Sequence, residues 1–181
     1  MLEYIIGAIV GLLIVYIILT LNRLIRANNK VKEAFSTMDV YLKKRWDLIP
    51  NVVNTTKAYA KYESETLENI VKERTNYAKL SMTDKLSSNE EITTNLEKLF
   101  ALAEDYPELK ASENFLDLSK QLTAVEDEIA HSRKYYNASV REFNNRVEMI
   151  PSNIIAAIFG FKSKKMFEAT AEEKENVKVE M

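Results

Sequence analysis

The sequence predicts an all-α protein, with an N-terminal transmembrane helix followed by an elongated antiparallel helix bundle. Three observations lead there. Residues 4–21, YIIGAIVGLLIVYIILTL, form an uncharged apolar run. The 181-residue chain holds 3 Gly and 3 Pro, and the stretch between Gly11 and Gly160 has no glycine, so the residues that hairpins and tight turns need are missing. Beyond the apolar run, hydrophobic residues recur at alternating steps of three and four, the spacing of one helix face.

The apolar run comes first. As a helix, its roughly 18 residues extend about 27 Å, close to the hydrocarbon thickness of a bilayer. Glu3 precedes it, and Arg23, Arg26, Lys30 and Lys32 follow. A cleaved signal peptide carries its positive charge before the run and small residues at the cleavage site. Here the order is reversed and Leu19-Thr20-Leu21-Asn22 is a poor site, so an uncleaved anchor is preferred to a signal peptide or a buried core helix. Basic residues stay on the cytoplasmic side, which puts the N-terminus outside and residues from about Asn22 onward in the cytoplasm. Gly7 and Gly11 share one helix face and form a candidate surface for self-association in the membrane.

The next element is a long seam of Val31, Phe35, Met38, Leu42, Arg45, Ile49, Val52, Thr56 and Tyr59, carried on by Leu67, Ile70, Arg74 and Tyr77 to about Leu80. It passes Pro50 without losing phase. A kinked but continuing helix is therefore favoured over a reversal near Asp47 to Pro50 with Asp47 as N-cap. Ser81 to Ser88 reads as a loop, and Ser88 with Glu91 as a capping box. Ile92, Leu96, Leu99, Ala103 and Tyr106 form a short amphipathic helix, broken at Asp105 to Glu108. A long helix is expected from about Glu108 to Met149. Its seam is Phe115, Leu118, Leu122, Val125 and Ile129, then Tyr136, Val140, Phe143, Val147 and Ile150, with a one-residue shift between the halves. Pro151 ends it. The expected parts are thus a membrane helix (4–21), a cytoplasmic bundle (22–150), a short amphipathic segment (151–167) and a disordered polar tail (168–181).

Reactive chemistry is thin. Without Cys there are no disulfides, thiolate metal sites or thiol catalysis. Lys+Arg 25 against Asp+Glu 27 gives a net charge of −2, with none of the basic excess of a nucleic-acid-binding domain. Glu128 and His131 have the Glu-x-x-His spacing of two-metal bundles, but such a site needs a second histidine and the chain has one. No catalytic, cofactor-binding or metal residue is assigned. Arg45 and Arg74 occupy seam positions and need partners, with Asp47, Asp127 or Glu128 available. Tyr135, Tyr136 and Phe143 beside Arg133 and Arg141 read as core and rim rather than a base-stacking surface. Ile154, Ile155, Ile158 and Phe159, with lysines directly after, suit either a helix lying on lipid or a lid on the bundle end.

The blocks YLKKRWDLIPNVVNTTKAYAKYE (41–63), YPELKASENFLDLSKQL (106–122) and SRKYYNASVREFNNRVEMIPSNIIAAIFGFK (132–162) look like the LemA family of bacterial membrane proteins. The resemblance covers about residues 2–169. It implies an N-terminal membrane helix and an up-and-down four-helix bundle in the cytoplasm. It rests on Arg45, Asp47, Pro50, Asn51, Tyr106, Pro107, Arg133, Tyr136, Asn137, Asn144 and Pro151, for which the family provides no catalytic role. It also implies an inner-membrane location, envelope function, a neighbouring membrane metalloprotease as one partner, and a branch linked to magnetosome membranes. The resulting expectation is a non-enzymatic, single-pass scaffold or adaptor acting by helix–helix contact with membrane proteins or with itself. The alternatives are membrane shaping or lipid binding through residues 152–167 and, behind these, a metalloenzyme dependent on His131.

Overall fold

The structure, a computed structural model, describes residues 1–60, 80 and 82–167. Among these, the regular elements are all helices: α1 (Leu2–Tyr59), α2 (Met82–Glu104), α3 (Pro107–Lys110), α4 (Glu113–Glu148) and α5 (Ser152–Ile158). They form two compact units. Among the described residues, the first holds 1–37 and 132–166; the second holds 38–60, 80, 82–131 and Phe167.

α1 begins in the apolar segment. Only 6% of its most apolar 18-residue window is buried, which fits a single-pass membrane helix and not a core helix. The helix continues through Pro50, as the unbroken phase of the seam requires. Val31, Phe35, Met38, Leu42, Arg45, Ile49, Val52 and Thr56 are all buried. Tyr59 is exposed, and Ala60 takes the buried place beside it. The continuation through Leu67, Ile70, Arg74 and Tyr77, and the polar tail, lie outside the described residues.

In the second unit α2 starts at Met82, so the segment expected as a loop is helical and Ser88 lies inside the helix instead of capping it. The segment has neither Gly nor Pro to break a helix. Asp84 also favours the first turn through the helix dipole. Lys85 Nζ lies 2.8 Å from both Asp39 carboxylate oxygens and ties that turn to α1. Ile92, Leu96, Leu99 and Ala103 are buried as the spacing requires.

The helix expected from Glu108 to Met149 is two helices. Pro107 opens α3, where its missing N–H costs nothing. The Ser112 N–H then turns back to the Leu109 carbonyl, and the Ser112 carbonyl accepts the first bond of α4 from the Leu116 N–H. Serine is a preferred residue at that cap position. Within α4 the resumed seam of Tyr136, Val140 and Phe143 is buried as expected, and Ser132 and Ser139 are buried beside it, Ser132 bridging the two halves.

Arg45 is completely buried, and it pairs with Glu126 of α4, a residue the spacing did not single out. Its Nη1 donates to Glu126 Oε1 at 2.9 Å and to Thr93 Oγ1 of α2 at 3.2 Å. One guanidinium thus fixes the register of three helices. Removing one member of such a pair leaves a charge without its counterpart in a poorly solvated place. Glu126→Ala is therefore expected to lower the unfolding free energy by about 3 kcal/mol, and Arg45→Met with Glu126→Ala to recover most of it. Urea melts of the single and double variants check this, and equal losses in both would reject the pairing argument.

Candidate membrane-proximal site

The first unit contains the membrane segment of α1, the second half of α4, α5 and the chain that follows. α1 and α4 run antiparallel, with Phe35 and Tyr136 edge to face at 6.0 Å and Lys30 meeting Glu142 at 2.8 Å. After Pro151, which follows a cis peptide bond, α5 places Ile155 and Ala156 against Leu24, with Ile17, Val147 and Phe161 around them. Ile17 belongs to the apolar run. α5 therefore sits beside the last turns of the membrane segment.

That packing divides the side chains proposed for lipid contact. Ile155 is buried against Leu24. Ile154, Ile158 and Phe159 point away, with 59%, 73% and 51% of their surface exposed. A helix face is narrower than the four-residue set: positions 154 and 155 lie about 100° apart, and only one of them can face Leu24.

Gly160 then reverses the chain with φ +74°, the left-handed region that favours glycine. The Gly160 N–H reaches the Ala157 carbonyl at 3.2 Å and the Phe161 N–H reaches that of Ala156 at 2.9 Å, closing the open carbonyls of α5. The chain after it lies along α4. The Asn144 Nδ2 donates to the Lys164 carbonyl, and its Oδ1 accepts from the Lys164 N–H, both at 2.9 Å. The Tyr136 hydroxyl donates to the Lys165 carbonyl at 3.1 Å, and burial raises its pKa. The Phe161 ring meets Phe143 at 6.2 Å, and Lys164 Nζ lies 5.6 Å from the Phe143 centroid. Desolvation, then the charge of Lys32, lowers the Lys164 pKa.

The same unit contains a cationic hollow. Arg23, Arg26, Lys30 and Arg146 line a cavity of about 180 Å³ with Ala27 and a single carboxylate, Glu142. Glu142 accepts from Lys30 Nζ at 2.8 Å and from Arg146 Nη2 at 2.9 Å. The Lys30 hydrogen bond, then that of Arg146, holds the Glu142 pKa below the usual value, and the same Glu142 bond raises that of Lys30. These groups are well exposed, so the network orients Arg146 more than it stabilises the fold. A second cavity of about 160 Å³ shares Arg23 and Arg146 and adds Tyr16, Thr20, Leu24 and Ser152. Sequence reasoning missed this grouping. The visible signal was the i,i+4 pair Glu142–Arg146, but the three cations from α1 come together with it only in the fold.

The remaining residues singled out in the sequence are scattered. Gly7 and Gly11 have no heavy atom within 4 Å of an added Cβ, so their face is open. In the second unit Asp47 and Asn51 are exposed, and Pro50 is half-buried within α1. Tyr106 and Pro107 border a groove of about 460 Å³ with Ala58 and Tyr59. Arg133 and Asn137 are half-buried on α4 in the first unit, and Glu128 and His131 are exposed. Among the described residues, no three carboxylate or histidine groups converge as metal ligands.

Asn144 is the residue whose role is clearest, since its amide satisfies both backbone groups of Lys164. Asn144→Ala leaves them without these bonds and is expected to cost about 1–3 kcal/mol. It should also speed trypsin cleavage after Lys162 and Lys164. An unchanged cleavage rate would show that the strap does not depend on this amide.

Comparison with known proteins places these features in a family. The model of the LemA family matches residues 34–181. Protein LemA of Metamycoplasma hominis is 28% identical over 159 residues, covering 86% of this chain and 72% of that protein. Magnetosome protein MamQ 2 of Paramagnetospirillum magneticum is 33% identical over 73 residues, which is 40% of this chain and 27% of the relative. Magnetosome protein MamQ of Magnetospirillum gryphiswaldense is 32% identical over 72 residues, covering 40% of this chain and 26% of its own length. The chain thus spans about a quarter of the magnetosome proteins.

Proposed function

This chain belongs to the LemA family, and from that premise we propose that it is a non-enzymatic scaffold or adaptor of the bacterial cell envelope. It is anchored by α1 in the inner membrane, with the N-terminus outside and the helical domain in the cytoplasm. It acts by helix–helix contact with other membrane proteins and with copies of itself. The observation that carries this reading is the division of labour within α1. From Val31 to Thr56 its seam is consumed inside the fold, whereas its membrane segment offers an unoccupied Gly7–Gly11 face. Contact between chains then falls to the membrane segment, where small residues let backbones approach closely. Arg23, Arg26, Lys30 and Lys32, all following the apolar run, support the orientation. Anchors confined to one membrane plane strengthen weak contacts through effective concentration.

Energy transfer between fluorophores on full-length chains in lipid vesicles tests the self-association. Gly7→Leu with Gly11→Leu is expected to reduce transfer to the level of non-associating anchors. Equal transfer in wild type and variant removes this face from the mechanism.

A second reading, lipid contact and membrane shaping through α5, is favoured by one observation. Ile154, Ile158 and Phe159 are exposed beside the level of Ile17 and Leu24. Trp46 is the single tryptophan and is buried in the second unit. In a Trp46→Phe background, Phe159→Trp placed in vesicles should be quenched by lipids with brominated acyl chains. Absence of quenching rejects the lipid reading of α5.

A further inference from the structure

We propose that the cationic hollow between α1 and α4 binds a phosphate group, that of an anionic phospholipid headgroup held at the foot of the membrane segment. Four cations, Arg23, Arg26, Lys30 and Arg146, face one carboxylate, Glu142. Among the described residues, Arg23 and Arg26 form no ion pair, so two guanidinium groups remain to meet an anion. The Arg146 Nε–H is buried and has no acceptor among the described residues. Buried donors are nearly always satisfied, and a ligand oxygen in the hollow would satisfy this one. Glu142 accepts from Nη2 of the same guanidinium, which restrains its plane before any ligand arrives. Planar guanidinium groups match phosphate oxygens in a bidentate manner that lysine does not.

The shape of the hollow selects a lipid over a free anion. Arg23 and Arg146 line both cavities, and the second runs from them past Thr20 to Tyr16. Tyr16 precedes Arg23 by seven residues, about 10 Å along the helix and inside the apolar run. A phosphate seated at Arg23 and Arg146 therefore has a path for its glycerol past the Thr20 and Tyr16 hydroxyls. Its acyl chains then continue along the exposed apolar face of α1. A soluble phosphate uses only the lower part of this path. The inference rests on α1 as a membrane anchor and is independent of the scaffold reading, because it needs neither self-association nor a protein partner.

The test uses the full chain in nanodiscs of phosphatidylcholine containing a minority of phosphatidylglycerol. Native mass spectrometry of the released protein counts the retained lipids. Wild type should retain phosphatidylglycerol above its share of the disc. Arg23→Gln with Arg26→Gln should cut that enrichment by up to about thirtyfold, from roughly fivefold per arginine near an anionic surface. Arg146→Gln should lower it as well. Lys32→Gln with Lys162→Gln removes the same charge outside the hollow and should leave the enrichment in place. Melting in pure phosphatidylcholine discs shows that each variant is folded. No enrichment in wild type overturns the proposal without reference to any variant, and so does an equal loss in the lysine control. A rise in melting temperature on adding inorganic phosphate to phosphatidylcholine discs, lost in the arginine variant and without phosphatidylglycerol enrichment, would assign the site to free phosphate and overturn the lipid assignment.

Discussion

Leu24 marks the point where α1 stops belonging to lipid and starts belonging to protein. The side chains before it are largely exposed and apolar; from Leu24 onward one stripe of the helix is covered. Because helical phase is carried along a continuous helix, the face that Leu24 presents to α5 fixes the faces presented by every residue near it. Ile17 and Thr20 lie toward α5, and Val31 and Ala34 lie on the buried stripe that follows. Arg23 and Arg26 fall on the rim, where the hollow forms. The whole membrane-proximal arrangement follows from that one packing contact and the 3.6-residue turn.

Around it the chain uses inexpensive local devices. Pro107 and Ser112 divide what periodicity alone presents as one helix. Gly160 turns the chain so that residues 161–166 can return along α4, and Asn144 receives them with both ends of its amide. Tyr136 and Asn144, both among the residues that carry the family resemblance, thus have structural roles in this chain as receivers of a strap. Arg45 does the comparable task in the second unit, where a buried charge meets α2 and α4 at single positions and penalises any other register.

The charged groups of the two units differ in kind. Arg45 is wholly withdrawn from water, so its ion pair specifies structure. Lys30, Glu142 and Arg146 keep a third or more of their surfaces in water, so their mutual attraction contributes little to stability. What they contribute is orientation. Glu142 engages one nitrogen of Arg146 and leaves another buried without an acceptor, next to two arginines that form no ion pair among the described residues. Such an arrangement has little reason to exist for folding, and it is suited to an anion.

The sequence by itself determined the helical class, the apolar segment and most of the core. These follow from near-neighbour chemistry: scarce glycine, an uncharged run of bilayer length, and a stripe whose steps of three and four put Val31, Met38, Ile49 and Val52 on one face. It could not decide what depends on residues brought together from far apart. Periodicity shows that Arg45 is buried but not that Glu126, rather than the adjacent Asp127, turns toward it. Lys85, near the start of α2, meets Asp39 across 46 residues. Ile155 and Ile154 are alike in composition, and only the contact with Leu24 decides which is covered. The hollow joins Arg23, Arg26 and Lys30 to Arg146 across more than a hundred residues, and no pattern within either helix announces it. Local spacing encodes which face of a helix is apolar; only tertiary packing decides which partner that face and its charged rim will meet.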